Sequence, residues 1–265
     1  MFGQEFFIKA IVVGVLTGFS SSFFSAFVVQ RKISFIGSGL SHAAFGGIAL
    51  GLLLNVEPLA VAIPFTLMAA FLIYYLKNKT NVSTDAIIGV VFSFAVAMGI
   101  IFLALKESYS QDAYSYLFGS ILTLNNTDII LSIVLFLLTV ASAVFFWERW
   151  AYATFDWELA KAEKLPVIRD DYIFAAFLGL VIVLAIKIVG IILISAFLVI
   201  PGASAKLFSR TFFKLTVNSI VIGVLSVVAG LMLSYQLDLP SGALIIVLQT
   251  IIFVIATIIS KLKNL

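Results

Sequence analysis

Nine apolar stretches, most of them close to the length of a bilayer crossing, follow one another along this chain. A helix needs roughly 20 apolar residues at about 1.5 Å each to cross the hydrocarbon layer. Backbone amides cannot bond to water there, so each crossing must satisfy its amides within itself, as a helix does. The stretches are Phe6–Val29, Ile36–Leu54, Pro58–Leu76, Ala86–Leu105, Asp128–Trp147, Tyr172–Ile186, Val189–Ile200, Thr216–Tyr235 and Ser241–Ile259. The expected fold is therefore all-α: a polytopic membrane helix bundle forming one domain over residues 1–265. Composition closes off the soluble alternative. Only 11% of residues are charged, and mean hydropathy is +1.21. Soluble domains carry about 25% charged residues.

The sixth and seventh stretches set the crossing number. Residues 172–200 are interrupted by Lys187 and Gly190. They are too long for one straight helix and short for two. We expect one helix out and a shorter one back, giving nine crossings, with eight if the two merge. Short or broken helices at membrane depth line cavities. Charge orients the bundle. With the N-terminus outside and nine crossings, the inner loops hold Arg31, Lys32, Lys77, Lys79, Arg149, Lys161, Lys164, Arg169, Lys206, Arg210, Lys214, Lys261 and Lys263, and only Lys9, Lys106 and Lys187 fall outside. Merging the two stretches would put Lys206, Arg210 and Lys214 outside. The C-terminus is then inside, and the first apolar run, which lacks a basic leader, stays as a membrane helix.

Two inner segments are long enough to form their own structure. Residues 154–167 predict a cytoplasmic linker helix, capped at Asp156 and stopped by Pro166. Residues 201–214 predict a short basic amphipathic helix, which lies on the membrane or docks into a partner.

Few residues can carry chemistry. There is no cysteine, so thiolate ligands are excluded. No G-x-x-x-x-G-K-[ST] occurs, so the chain has no P-loop. The single histidine, His42, sits within the small-residue stretch RKISFIGSGLSHAAFGGIALG at 31–51. At helical spacing Ser38, His42 and Ala49 lie near one face, with Gly46 one turn above His42. Imidazole is a ligand for zinc and its first-row neighbours, and buried polar groups in membranes face a bundle interior or a wet path. The competing role is a packing histidine bonded across to another helix. One histidine cannot hold a metal alone, so further ligands must come from elsewhere, such as a second copy. Asp85 reads as a helix cap. Lys187 reads as snorkelling. Glu57, Asp112, Asp128 and Asp238 read as charges near the outer surface, where they could draw a cation to a pore mouth.

Taken together, RKISFIGSGLSHAAFGGIALG (31–51), TDAIIGVVFS (84–93), YLFGSIL (116–122), TFDWELAKAEKLPV (154–167), VGIILISAFLVIPGASAKL (189–207) and YQLDLPSGALIIVL (235–248) resemble the permease subunits of ABC-type zinc, manganese and iron(II) importers. These are distantly similar to the cobalamin and siderophore importer permeases. The resemblance implies a multi-pass protein of a prokaryotic-type cell membrane that works as a pair of copies. It implies two separate ATPase subunits on the cytoplasmic side and an extracytoplasmic metal-binding protein. No cofactor is implied beyond the transported divalent metal, and no nucleic acid. The segment around Pro201, Gly202, Ala203, Ser204, Lys206 and Arg210 would couple to the ATPase. His42 would meet the metal, and Ser38 stands where many relatives carry aspartate. Glu57 and Asp238 would lie at the outer mouth. The chain itself would be no enzyme. Two other readings stay open: an importer permease for a metal chelate or other small nutrient, and a secondary carrier. No carboxylate near mid-helix supports the carrier.

Overall fold

The computed structural model describes residues 5–106, 116–119 and 124–263. Asp112 lies outside the described residues. The helices are α1 (Glu5–Gln30), α2 (Ile36–Leu53), α3 (Pro58–Lys79), α4 (Thr84–Ala104), α5 (Asn126–Phe155), α6 (Trp157–Ala162), α7 (Val167–Val189), α8 (Ile194–Phe197), α9 (Ile200–Lys206), α10 (Phe212–Leu237) and α11 (Ser241–Lys263). Among the described residues all of these elements are helical. Eight of them, α1–α5, α7, α10 and α11, are long and apolar enough to cross a membrane.

Helices α1, α2 and α7 are mostly buried, whereas α4, α5 and α11 turn most of their apolar residues outward. That inversion of the soluble pattern fits lipid as the solvent. Helix α1 packs on α10, α5, α9 and α7, and α2 sits between α3 and α4. Close approach explains the glycines of α2: a Cβ on Gly47 would lie 2.6 Å from Ala62 Cα. Hydroxyls tie the buried helices together. Ser219 Oγ donates to Ser22 O at 2.7 Å, and Thr139 Oγ1 to Ser20 Oγ at 3.1 Å.

The seventh apolar stretch is not a regular spanning helix. Helix α7 ends at Gly190, whose φ of +87° is open to glycine. The next amides bond outside the segment, Ile191 N to Tyr116 O at 3.0 Å and Ile192 N to Leu117 O at 3.4 Å. Pro201 at the start of α9 then enforces a second break. The segment nevertheless runs from one end of the bundle to the other. Gly190 lies beside Leu117, at the end where Ser241 Oγ donates to Ile188 O. Phe212, some 20 residues on, meets Phe27 and Phe155 edge-on at the end that holds Arg31 and Asp171. Among the described residues eight helices are long and apolar enough to cross, and the broken segment joins the two ends of the bundle.

Gly190→Ala would place a Cβ 2.5 Å from Leu117 O on strained backbone. The strain alone is worth about 1–3 kcal/mol. The expected outcome is a clear drop in thermal unfolding temperature in detergent, larger than for Gly89→Ala, where a Cβ meets nothing within 4 Å.

Candidate functional site

His42 sits on α2 with its ring against Phe92 of α4, centroids 4.4 Å apart. Its Nδ1 is 2.9 Å from the Ser38 carbonyl oxygen and 3.2 Å from Ser41 Oγ. A carbonyl can only accept, so Nδ1 carries the hydrogen. Ser41 Oγ also donates to Ser38 O, at 3.1 Å. In the neutral ring this puts the hydrogen on Nδ1 and the lone pair on Nε2, the arrangement that orients a metal-ligating imidazole. Among the described residues no hydrogen bond to Nε2 occurs, and no group of three or more His, Asp or Glu side chains converges to hold a metal.

The open side of α2 is narrower than the expected face. Ser34, Ser38, His42 and Phe45 are partly or fully exposed along one line, and Ala49 is buried. Among the described residues no hydrogen bond joins the Ser38 side chain to the ring; its backbone carbonyl does the orienting.

The segment 201–214 is not one helix. Helix α9 stops at Lys206, a turn covers 207–211, and Thr211 caps α10 by accepting from Lys214 N. Pro201, Gly202 and Ser204 face inward: Gly202 N donates to Ser25 Oγ at 2.9 Å, and Ser204 Oγ donates back to Ile200 O. Ala203 is half-buried. Lys206, Phe208, Arg210, Phe213 and Lys214 are exposed. Packing against α1 therefore buries Pro201, Gly202 and Ser204 and leaves the Lys206 end of the segment exposed.

The 154–167 stretch is split too. Helix α5 runs through to Phe155, Asp156 caps α6 by accepting from Leu159 N at 2.9 Å, and α6 ends at Ala162, short of Pro166. Ser83, not Asp85, caps α4. Glu57 and Asp238 are exposed on the end opposite Arg31, Glu57 opening α3 and Asp238 closing α10 in a left-handed turn.

Two ionic clusters were not foreseen from the sequence. At the basic end, Arg31 Nη1 donates to Asp171 Oδ1 at 2.8 Å and Nε to Thr154 Oγ1 at 2.9 Å, over the face of Phe174. Trp157 Nε1 donates to Asp171 Oδ2, and Lys77 lies 3.9 Å away. Arg149 Nη2 donates to Asp170 Oδ1 at 2.6 Å. These contacts clamp α1, α3, α5, α6 and α7 together. At the other end Lys187 does not snorkel. Its Nζ donates to both oxygens of Asp128 at 2.8 and 3.0 Å, with both side chains over 90% buried. Asp128 also closes a capping box with Asn125, so it is no solvated loop charge. The available signal was opposite charges set flush against apolar runs, RDD at 169–171 facing Arg31 and Arg149.

A bundle of eight long apolar helices with one broken passage defines a polytopic membrane protein. The chain belongs to the ABC 3 transport family, whose model matches residues 3–260. It is a multi-pass permease of the prokaryotic plasma membrane. The "High-affinity zinc uptake system membrane protein ZnuB" of Haemophilus influenzae is 29% identical, covering 95% of this chain and 97% of that protein. The "Manganese transport system membrane protein MntC" of Listeria monocytogenes is 32% identical over 98% of this chain and 93% of its own. The solved structure of PsaBC from Streptococcus pneumoniae in complex with Fab superposes with a TM-score of 0.85 at 30% identity, covering 96% of this chain and 91% of that one.

Proposed function

We propose that this chain is the permease of an ATP-driven importer for a divalent transition metal, drawn from zinc, manganese and iron(II). The observation that carries this reading is full-length similarity to zinc and manganese permeases, together with an oriented imidazole whose Nε2 is free. Two copies form the path between them, and the open stripe of α2 lines it. Each copy supplies His42, so the pair offers two nitrogen ligands and a weak site. A weak site suits transport, because the ion must leave. Glu57 and Asp238 stand at the outer mouth, where an extracytoplasmic binding protein delivers the metal. The N-terminus is outside and the C-terminus inside, by the excess of Lys and Arg at the Arg31 end.

Hydrolysis belongs to two separate ATPase subunits beneath the basic end. Their docking surface is the exposed turn Lys206–Lys214 rather than the buried start of α9. ATP-driven closure of the ATPases rocks the two permease copies and alternates access. Reversing the charge in Lys206→Glu/Arg210→Glu is expected to weaken ATPase attachment at least roughly tenfold, since like-charge contact costs several kcal/mol. Co-purification and uptake check this together. Retained attachment with normal uptake removes the surface.

The direct test is uptake into proteoliposomes containing this chain with its ATPase, the binding protein outside and ATP sealed within. Zinc, manganese and iron(II) are compared side by side. ATP-dependent accumulation of one of them is the expected result. A complex that hydrolyses ATP yet accumulates none carries a different cargo.

A further inference from the structure

We infer that a cavity at the basic end, between α3, α6 and the start of α7, binds an anionic phospholipid, its phosphate between Lys161 and Arg169 and an acyl chain below. The cavity has a volume of about 670 Å³. Its walls are Phe71, Leu165, Pro166, Val167, Ile168, Tyr172, Ile173 and Ala176, with Lys161 and Arg169 as its charged members. Among the described residues no carboxylate lines it, and its surface is almost wholly apolar, so Lys161 and Arg169 border it through their aliphatic stems.

Neither cation is taken up by the ionic clamp. Arg31 and Lys77 turn to Asp171, and Arg149 engages Asp170. Arg169 only grazes Asp170, at 3.7 Å, and stays largely exposed. Lys161 lies over the Trp157 ring at 4.8 Å, among the described residues without a carboxylate partner. A basic rim therefore keeps charge for an external anion.

The shape selects which anion. The wall follows α7 over the ten residues from Val167 to Ala176, a rise of about 14 Å, so the site is much deeper than a phosphate. Its lower part is apolar and lies where α7 enters the membrane. A soluble anion gains nothing from that depth, whereas a phospholipid fills it with an acyl chain. Tyr172, whose ring meets Phe71 edge-on at 6.0 Å, sits at the level where amphipathic rings border headgroups. Basic pockets between membrane helices on the cytoplasmic side suit anionic headgroups. The bound lipid would brace α3 and α6 against the α7 turn that carries Asp170 and Asp171.

The test is lipid retention by the full-length permease in detergent, read by native mass spectrometry with phosphatidylglycerol or phosphatidylcholine added. The wild type should hold phosphatidylglycerol in preference. Lys161→Gln/Arg169→Gln should lower its retention by roughly tenfold, two cations each contributing several-fold. Ile173→Trp, which fills the apolar wall, should lower it without touching charge. Lys79→Gln, an exposed cation outside the cavity, should leave it unchanged. Equal retention in the double variant, equal retention of phosphatidylcholine, or displacement by millimolar inorganic phosphate would each overturn the assignment. Loss of ATPase attachment in the double variant with lipid retention intact would give the rim to a protein partner and overturn it too.

Discussion

Replacing Asp171 with alanine is expected to destabilise the permease by about 3–5 kcal/mol, the cost of stranding a buried charge. Asp171 is 2% exposed and takes Arg31 on one oxygen and Trp157 Nε1 on the other. Without it Arg31 keeps Thr154, the Trp150 carbonyl and the Phe174 face, but among the described residues no other carboxylate pairs with it. The unfolding temperature in detergent should fall by more than for Lys77→Ala, whose 3.9 Å contact is half-exposed. Arg31→Met/Asp171→Leu removes both charges and should recover much of the loss, because the desolvation penalty goes with the pair. A single-variant effect equal to Lys77→Ala would mean that the clamp does not hold the helices.

Removing the imidazole in His42→Ala should lower metal uptake at least roughly tenfold, the low end for loss of groups that shape a metal site. Assembly should survive, since the ring is only half-buried and its hydrogen bonds stay within its own helix turn. Elution with the ATPase and the unfolding temperature check that. His42→Gln keeps the size and a hydrogen-bond donor for Ser38 O but has no ring nitrogen, so it should behave like alanine in uptake. Recovery of transport by glutamine would return His42 to packing against Phe92.

The particular failures of sequence reading share one cause. Lys187 and Asp128 lie 59 positions apart, and each alone reads as a charge seeking water. Only their meeting in space removes the need to snorkel. Arg31 and Asp171 are 140 positions apart, and the same holds. For 201–214 the apolar-and-basic pattern gave the right exposed cations, Lys206 and Arg210, but could not tell that Gly202 must meet Ser25. Local signals fared better. Asp156 caps its helix as the spacing required, and Gly190 does end the sixth stretch, although Lys187 stays inside the helix. In the candidate site the single His was visible at once. Its tautomer was not, because that depends on the Ser38 carbonyl turning toward Nδ1.

By itself the sequence determined the solvent, the helical class, the order of the crossings and the end at which basic residues collect. Each of these follows from residue type and period along a short window, where hydrophobic transfer and backbone hydrogen bonding act. The tertiary structure alone decided which charges are neutralised, which half of the 201–214 segment faces outward and which nitrogen of His42 is free. These depend on contacts between residues far apart in the chain, and in a low-dielectric interior such a contact reverses the cost of burying a charge.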